Sequence, residues 1–341
     1  MSLMKGTRLK EDIYTVSGVL LLKRGTLLTE NHIDWLNSHK TQIKWGLSSN
    51  ENSEEKPWPL NEVVYKNVYT SIKGLQETIG KKTHLEDNEI LGIMSEFDIL
   101  HQEYVEKDVE ILDIMEKFSK DEYLFKHSIN VGLIASKIGN LLSLPEEHQH
   151  MLGRLGLFHD VGKFKIDPAI LNKPTRLTDE EFNLIKQHPR LGYDLLSSTS
   201  LDPLILEGVL KHHEREDGTG YPGSIKGDSI PFFVKILSVA DSFDAICSIR
   251  VYKEQKSVYY AIEELIKDAQ AKRLDMSIVR PFTYSLMNQL KGSKIKLRNG
   301  AHGEIYDVHP QHPNQPILKI NGFQPLNLFK EQLTLHQVAD L

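Results

Sequence analysis

Between Asn88 and Gln289 apolar residues recur almost throughout at spacings of three and four, interrupted only by short loops at Pro168, Pro174, Pro189, Pro203 and the group Gly218, Gly220 and Gly223. Such a pattern predicts a helical bundle. Within it, Thr178 followed by Glu181 forms a capping box for a helix expected to run to His188. Upstream, Leu60, Val63, Val64, Val68, Ile72, Leu75 and Ile79 mark one face of a further amphipathic helix that ends at Gly80. Beyond Gly292 the period changes to two: Ile295 and Leu297, then Asn299-Gly300, then Ile305 and Val308. This predicts a hairpin with a type I′ turn, continued by a third strand through Ile317, Leu318 and Ile320.

The first 47 residues read as a small αβ module, with β-rich positions around Gly18 and Gly25 and with Thr29 placed to cap a short helix holding Ile33, Trp35 and Leu36. The polar run from Ser48 to Pro57 reads as a linker. The expected fold is therefore mainly α, with the helical bundle between two small modules, and the expected divisions are 1–47, 48–58, 59–118, 119–290 and 291–341.

A chain of 341 residues with 40% hydrophobic content can bury a sizeable core. Its net charge of −6 gives no general attraction to DNA or to anionic lipid, so any phosphate must be bound by a local positive site. One cysteine, Cys247, rules out an internal disulfide framework and cysteine-rich zinc modules, which fits a reducing compartment. No apolar run reaches the length of a membrane span. The expectation is a cytoplasmic protein without a membrane span.

Metal ligands in such a chain must be histidine and carboxylate, and the helical region supplies them: His127, the pair His159-Asp160, His188, the pair His212-His213, and Asp241. A lone histidine on a helix is ordinarily a surface or satisfied core residue. Adjacent pairs set among apolar residues are different, because buried imidazoles and carboxylates need partners. Five imidazoles and two carboxylates, one of them bridging, make four protein bonds to each of two metals. Octahedral ions would keep positions open for water and phosphate oxygens, as two-metal hydrolysis requires. Asp160 is the expected bridge, and the sulfur-free donor set suits iron, manganese or zinc.

Lys163 follows His159 by four residues, so on a continuing helix it would face the same side, and Gly162 between them leaves room for backbone or ligand. Tyr221, between Gly220 and Pro222 in the loop that starts at His213, is placed to meet a substrate. Arg250 lies nine residues after Asp241 and would face away from it on unbroken helix, so a site role for Arg250 or Lys253 requires the helix to end near Ser248. Spacing alone leaves their roles open.

His127-Ser128, the string His159-Asp160-Val161-Gly162-Lys163, His188, His212-His213-Glu214, the loop Asp217 to Pro222, and Asp241 through Tyr252 together resemble the HD-GYP family of cyclic di-GMP phosphodiesterases, over roughly residues 119 to 290. That resemblance implies one metal on His127, His159, Asp160 and Asp241, a second on Asp160, His188, His212 and His213, and substrate contacts from Lys163, Tyr221, Arg250 and Lys253. Asp160 and Lys163 are then the catalytic residues, and the cofactor is two divalent ions, iron or manganese ahead of zinc. The implied reaction opens cyclic di-GMP to linear pGpG, with GMP as a further product. The competing readings are the same centre acting on another cyclic dinucleotide such as cyclic GMP-AMP, and a signalling module that binds nucleotide without hydrolysis. Some relatives hold a third metal through a glutamate four residues before the first histidine; Tyr123 stands there, so two metals are expected. Val251 replaces a proline common in the family. The flanking modules suit regulatory partners, and the helix from Leu60 to Ile79 suits homodimer pairing.

Overall fold

The computed structural model describes residues 59–115, 123–248 and 257–339, apart from positions 81, 174, 322 and 323, together with short stretches of the first 45 residues. The chain divides into two compact units, Met1–Pro57 and Trp58–Leu341. In the first, strands β1 (Ile13–Thr15), β2 (Leu20–Leu22) and β3 (Ile43–Trp45) form an antiparallel sheet in the order β2-β1-β3. Thr29 caps as expected, its hydroxyl accepting from the His32 N–H at 3.3 Å. Trp35 and Leu36 lie outside the described residues.

The second unit is mainly helical. It begins with α1 (Glu62–Ile79), whose first amides are accepted by the Asn61 side chain, and α2 (Asp87–Glu106), opened by a capping box between Glu86 and Glu89. Val68, Ile72, Leu75 and Ile79 are buried in the common core, so the stripe proposed for pairing between chains is taken up within this one. Val63, expected on that stripe, is exposed, and Tyr65 is the buried residue of the first turn. After α3 (Ile111–Met115) come α4 (Tyr123–Leu141) and α5 (Glu146–Phe158). These two cross where their backbones nearly touch: a Cβ on Gly156 would sit 2.6 Å from the Gly132 backbone, and one on Gly132 2.6 Å from the Gly153 carbonyl. Glycine permits that approach, and it fixes where His127 and His159 meet.

The sequence then turns through a 3₁₀ segment, Val161–Lys165, into α6 (Pro168–Leu171), α7 (Asp179–Ile185), α8 (His188–Leu196) and α9 (Pro203–Lys211). The Thr178–Glu181 capping box is present, but α7 stops at Ile185 and His188 opens the next helix, because Pro189 is tolerated only in a first turn. After a loop, α10 (Phe232–Cys247), α11 (Val258–Gln270) and α12 (Met276–Gln289) complete the bundle.

Strands β4 (Lys294–Lys296), β5 (His302–His309), β6 (His312–Ile320) and β7 (Gln324–Asn327) form an antiparallel sheet in that order, followed by α13 (Leu335–Val338). Ile295, Ile305 and Leu318 join the helical core. The first hairpin is not type I′. Gly300 has φ of 83° but Asn299 stays at negative φ, and the Gly300 N–H donates to the Leu297 carbonyl at 2.8 Å while Leu297 N–H donates to Ala301 at 2.8 Å. That is a type I turn closed by a glycine bulge, the usual answer when the loop is one residue longer. The fourth strand, β7, escapes pattern reading because it is short and contains Pro325, which an edge strand tolerates.

Candidate metal centre

Three of the histidines are positioned by one device. His159 and His212 sit just past the ends of α5 and α9, and His188 three residues past the end of α7. In each case Nδ1 contacts the carbonyl three residues earlier: Gly156 at 2.6 Å, Val209 at 2.8 Å and Ile185 at 2.7 Å. A carbonyl only accepts, so Nδ1 carries the proton and Nε2 is a bare lone pair. The helix end gains a donor for an orphan carbonyl, and the ring is locked in the tautomer a metal needs.

His127 is oriented differently, from the middle of a helix. Its Nδ1 donates at 2.6 Å to Asp244, a fully buried carboxylate that also accepts from Asn130 Nδ2 at 3.0 Å and Ser248 Oγ at 2.9 Å. Asp244 lies one helical turn beyond Asp241, and that three-residue spacing was the available signal that both face the same side.

The Nε2 atoms converge on Asp160. Its Oδ2 lies 3.5 Å from His127 and 3.4 Å from His159, while Oδ1 lies 3.2 Å from His188 and 3.6 Å from His212. The potential ligand atoms of His127, His159 and Asp160 fall within 4.8 Å of one another, and so do those of Asp160, His188, His212 and His213. Asp241 adds an oxygen 3.2 Å from His127 Nε2 and another 4.0 Å from His213 Nδ1. All seven sequence-selected residues are thus brought together.

The residues fit cations. His188 and His212 aim their Nε2 lone pairs at each other across 3.0 Å, and His159 Nε2 is buried without a well-aligned partner. Bare lone pairs in a dry site repel unless something positive stands among them. Burial lowers His212 to about 4 and takes His188 and His213 down as well, which keeps these rings neutral and able to ligate. Burial opposes charge on His127 too, but Asp241 and Asp244 outweigh it and raise that ring to about 9. Burial would lift the Asp160 and Asp241 carboxyls; His159 and Lys163 beside the first, and His127 beside the second, hold both well below the usual carboxylate range.

A stability prediction follows for the metal-stripped protein. His188, His212 and His213 have folded values below the ordinary 6.5, so unfolded chain takes up protons first, and stability present above 6.5 is lost as pH falls toward 4. His127, raised to about 9, holds its proton more tightly in the folded state and offsets part of this loss above about 6.5, one ring against three, and below that it is protonated in both states. Thermal melts in chelator should fall steadily from pH 7 to 5; a flat profile would contradict neutral buried rings.

Lys163 does not continue α5. The helix ends at Phe158, and the 3₁₀ turn brings Lys163 Nζ to 2.5 Å from Asp160 Oδ2. Gly162 admits backbone: a Cβ there would overlap the His188 carbonyl and crowd the Gly192 amide. Gly162→Ala should therefore push His188 away, costing about 1–3 kcal/mol and reducing metal content, as melts and metal analysis would read. Tyr221 packs its ring 4.7 Å from His213. Its loop is held by Glu214, a buried carboxylate accepting from the Gly223 and Ile225 amides at 2.5 and 3.0 Å. The sequence reading gave Glu214 no role; its position directly after the histidine pair was the only hint. Arg250, Val251 and Lys253, and the Tyr123 side chain, lie outside the described residues, although α10 does end at Cys247 as a role for the two cations requires.

The family model described as HD domain matches residues 114–278. Over 211 residues, 62% of this chain and 50% of the relative, the sequence is 32% identical to a cyclic di-GMP phosphodiesterase of Pseudomonas aeruginosa. It is 41% identical over 155 residues to the cyclic di-GMP phosphodiesterase response regulator RpfG of Xanthomonas campestris pv. campestris, covering 45% of this chain and 39% of that one. The chain thus spans half or less of the length of these relatives. Among solved structures, an HDG"Y"P protein from Bdellovibrio bacteriovorus superposes with a TM-score of 0.51 over 81% of this chain and 94% of its own, at 14% identity, a likeness of fold alone. The matched stretch holds the whole histidine and aspartate cluster, and over residues 114–278 this chain is similar to the HD domain family.

Proposed function

We propose that this protein is a metal-dependent phosphodiesterase that opens cyclic di-GMP to linear pGpG, with GMP as a further product. The observation that carries the reading is Asp160, whose two oxygens face separate groups of histidines. The proposed ligands are His127, His159, Asp160 and Asp241 for one divalent ion, and Asp160, His188, His212 and His213 for the other. Iron or manganese suits these donors best, with zinc also compatible. Bound there, such ions supply Lewis acidity for activating water and neutralising phosphoryl charge.

The chain's own groups would do the rest. Lys163, adjacent to Asp160, places an ammonium where a phosphoryl oxygen or the departing 3′ oxygen gathers charge. Burial raises the Tyr221 phenol, so it stays protonated and offers a donor to phosphate or base. Arg250 and Lys253 are proposed as further substrate contacts. No helix among the described residues is long and apolar enough to cross a membrane; the lone, buried cysteine supports a reducing, cytoplasmic setting.

Protein purified without oxygen and loaded with manganese or iron should convert cyclic di-GMP to pGpG on chromatography. No product with any metal would eliminate the reading, and turnover of cyclic GMP-AMP alone would move the substrate. Lys163→Ala should keep its metals and lose about a hundredfold in kcat; loss of metal instead would make Lys163 structural.

A further inference from the structure

The lysines that line this side of the helical unit are nearly all committed. Lys163 donates to Asp160, Lys165 to the carbonyls of Ile79 and Lys82, and Lys173 to both oxygens of Glu181. Lys186 differs. It caps α7 two residues before His188, and among the described residues no carboxylate pairs with it. Its ammonium instead rests 4.7 Å from the Phe182 ring centroid and 5.7 Å from that of Tyr221, which itself touches His213. Phe182 is 44% exposed.

An ammonium that meets only ring faces keeps its hydrogen-bond donors for a ligand. A cyclic dinucleotide carries two phosphodiesters, and when one occupies the histidine cluster the other still calls for a cation, for which Lys186 is available among the described residues. We infer that Lys186 binds the phosphate that is not being cut, making it a substrate-binding residue that selects dianionic rings over simple phosphodiesters. The inference rests on the phosphodiesterase reading above and adds the residue that reads the second phosphate.

The test is steady-state kinetics of wild type, K186A and K186R, with metal content measured for each. The substrates are cyclic di-GMP, cyclic GMP-AMP and bis(p-nitrophenyl) phosphate, which carries one phosphate. K186A should raise KM for the cyclic dinucleotide about tenfold, the value of one charge-assisted hydrogen bond, with kcat within about twofold. The preference for cyclic dinucleotide over the single-phosphate ester should fall by the same factor, and K186R should restore most of it. Equal KM values for wild type and K186A, or a loss in kcat with altered metal content, would overturn the inference. Wild type inactive on cyclic di-GMP but active on cyclic GMP-AMP would defeat only the substrate assignment, since the second ring nucleotide then carries the comparison. Inactivity on both would end both proposals.

Discussion

Asp160→Ala is expected to lower turnover by at least about four orders of magnitude, roughly 5 kcal/mol of barrier, and to take bound metal from about two ions per chain to below one. The carboxylate is fully buried among four imidazoles, with Oδ2 toward His127 and His159 and Oδ1 toward His188 and His212. Asp241 does not duplicate it: among the described residues its oxygens come within 4.0 Å of His127, His159 and His213 but of neither His188 nor His212. Deleting Asp160 would leave rings whose lone pairs face one another, with Asp241 alone of the two proposed carboxylate ligands to retain two cations. Asp160→Asn keeps the shape without the charge and should fail nearly as badly, which separates lost coordination from a collapsed fold. Full metal content and activity in the alanine variant would disprove the bridge.

The second large effect is expected at a residue that touches no proposed ion. Asp244→Ala removes the acceptor for His127 Nδ1–H and for the Asn130 amide, both buried. Leaving those donors unpaired costs about 1–3 kcal/mol of stability, and releasing the His127 ring costs about 10–100-fold in metal affinity. Asp244→Asn can still accept from His127 through its carbonyl oxygen, so it should lie between alanine and wild type. Metal titration followed by a competing chelator reads the affinity, and melts read the stability. Wild-type affinity in the alanine variant would show that helix packing alone holds His127.

Much of the site was legible because its chemistry is discrete. Imidazole and carboxylate pairs such as His159-Asp160 and His212-His213 stand out among apolar neighbours, since burying them without partners is costly. Orientation was harder to read. The continuing helix assumed for Lys163 breaks at His159, yet the lysine still reaches Asp160 because a 3₁₀ turn brings residue i+3 close. Asp244 and Glu214 act through other residues, and a sequence shows what a side chain is without showing what it holds. The turn at Asn299-Gly300 went the same way: the dipeptide announces a hairpin, but loop length chooses between turn types, and register is a property of two strands.

By itself, then, the amino-acid sequence determined the helical period, the change to strand beyond Gly292 and the seven candidate ligands, because these follow from local spacing and residue type. Only the tertiary structure decided that His127 and Asp241, 114 positions apart in the chain, lie 3.2 Å from each other, and which oxygen of Asp160 faces which histidines. Those distances are set by backbone contact at Gly132 and Gly156 and by histidine rings tied to the carbonyls of their own helix ends. Packing of distant segments fixes such geometry, and no local pattern encodes it.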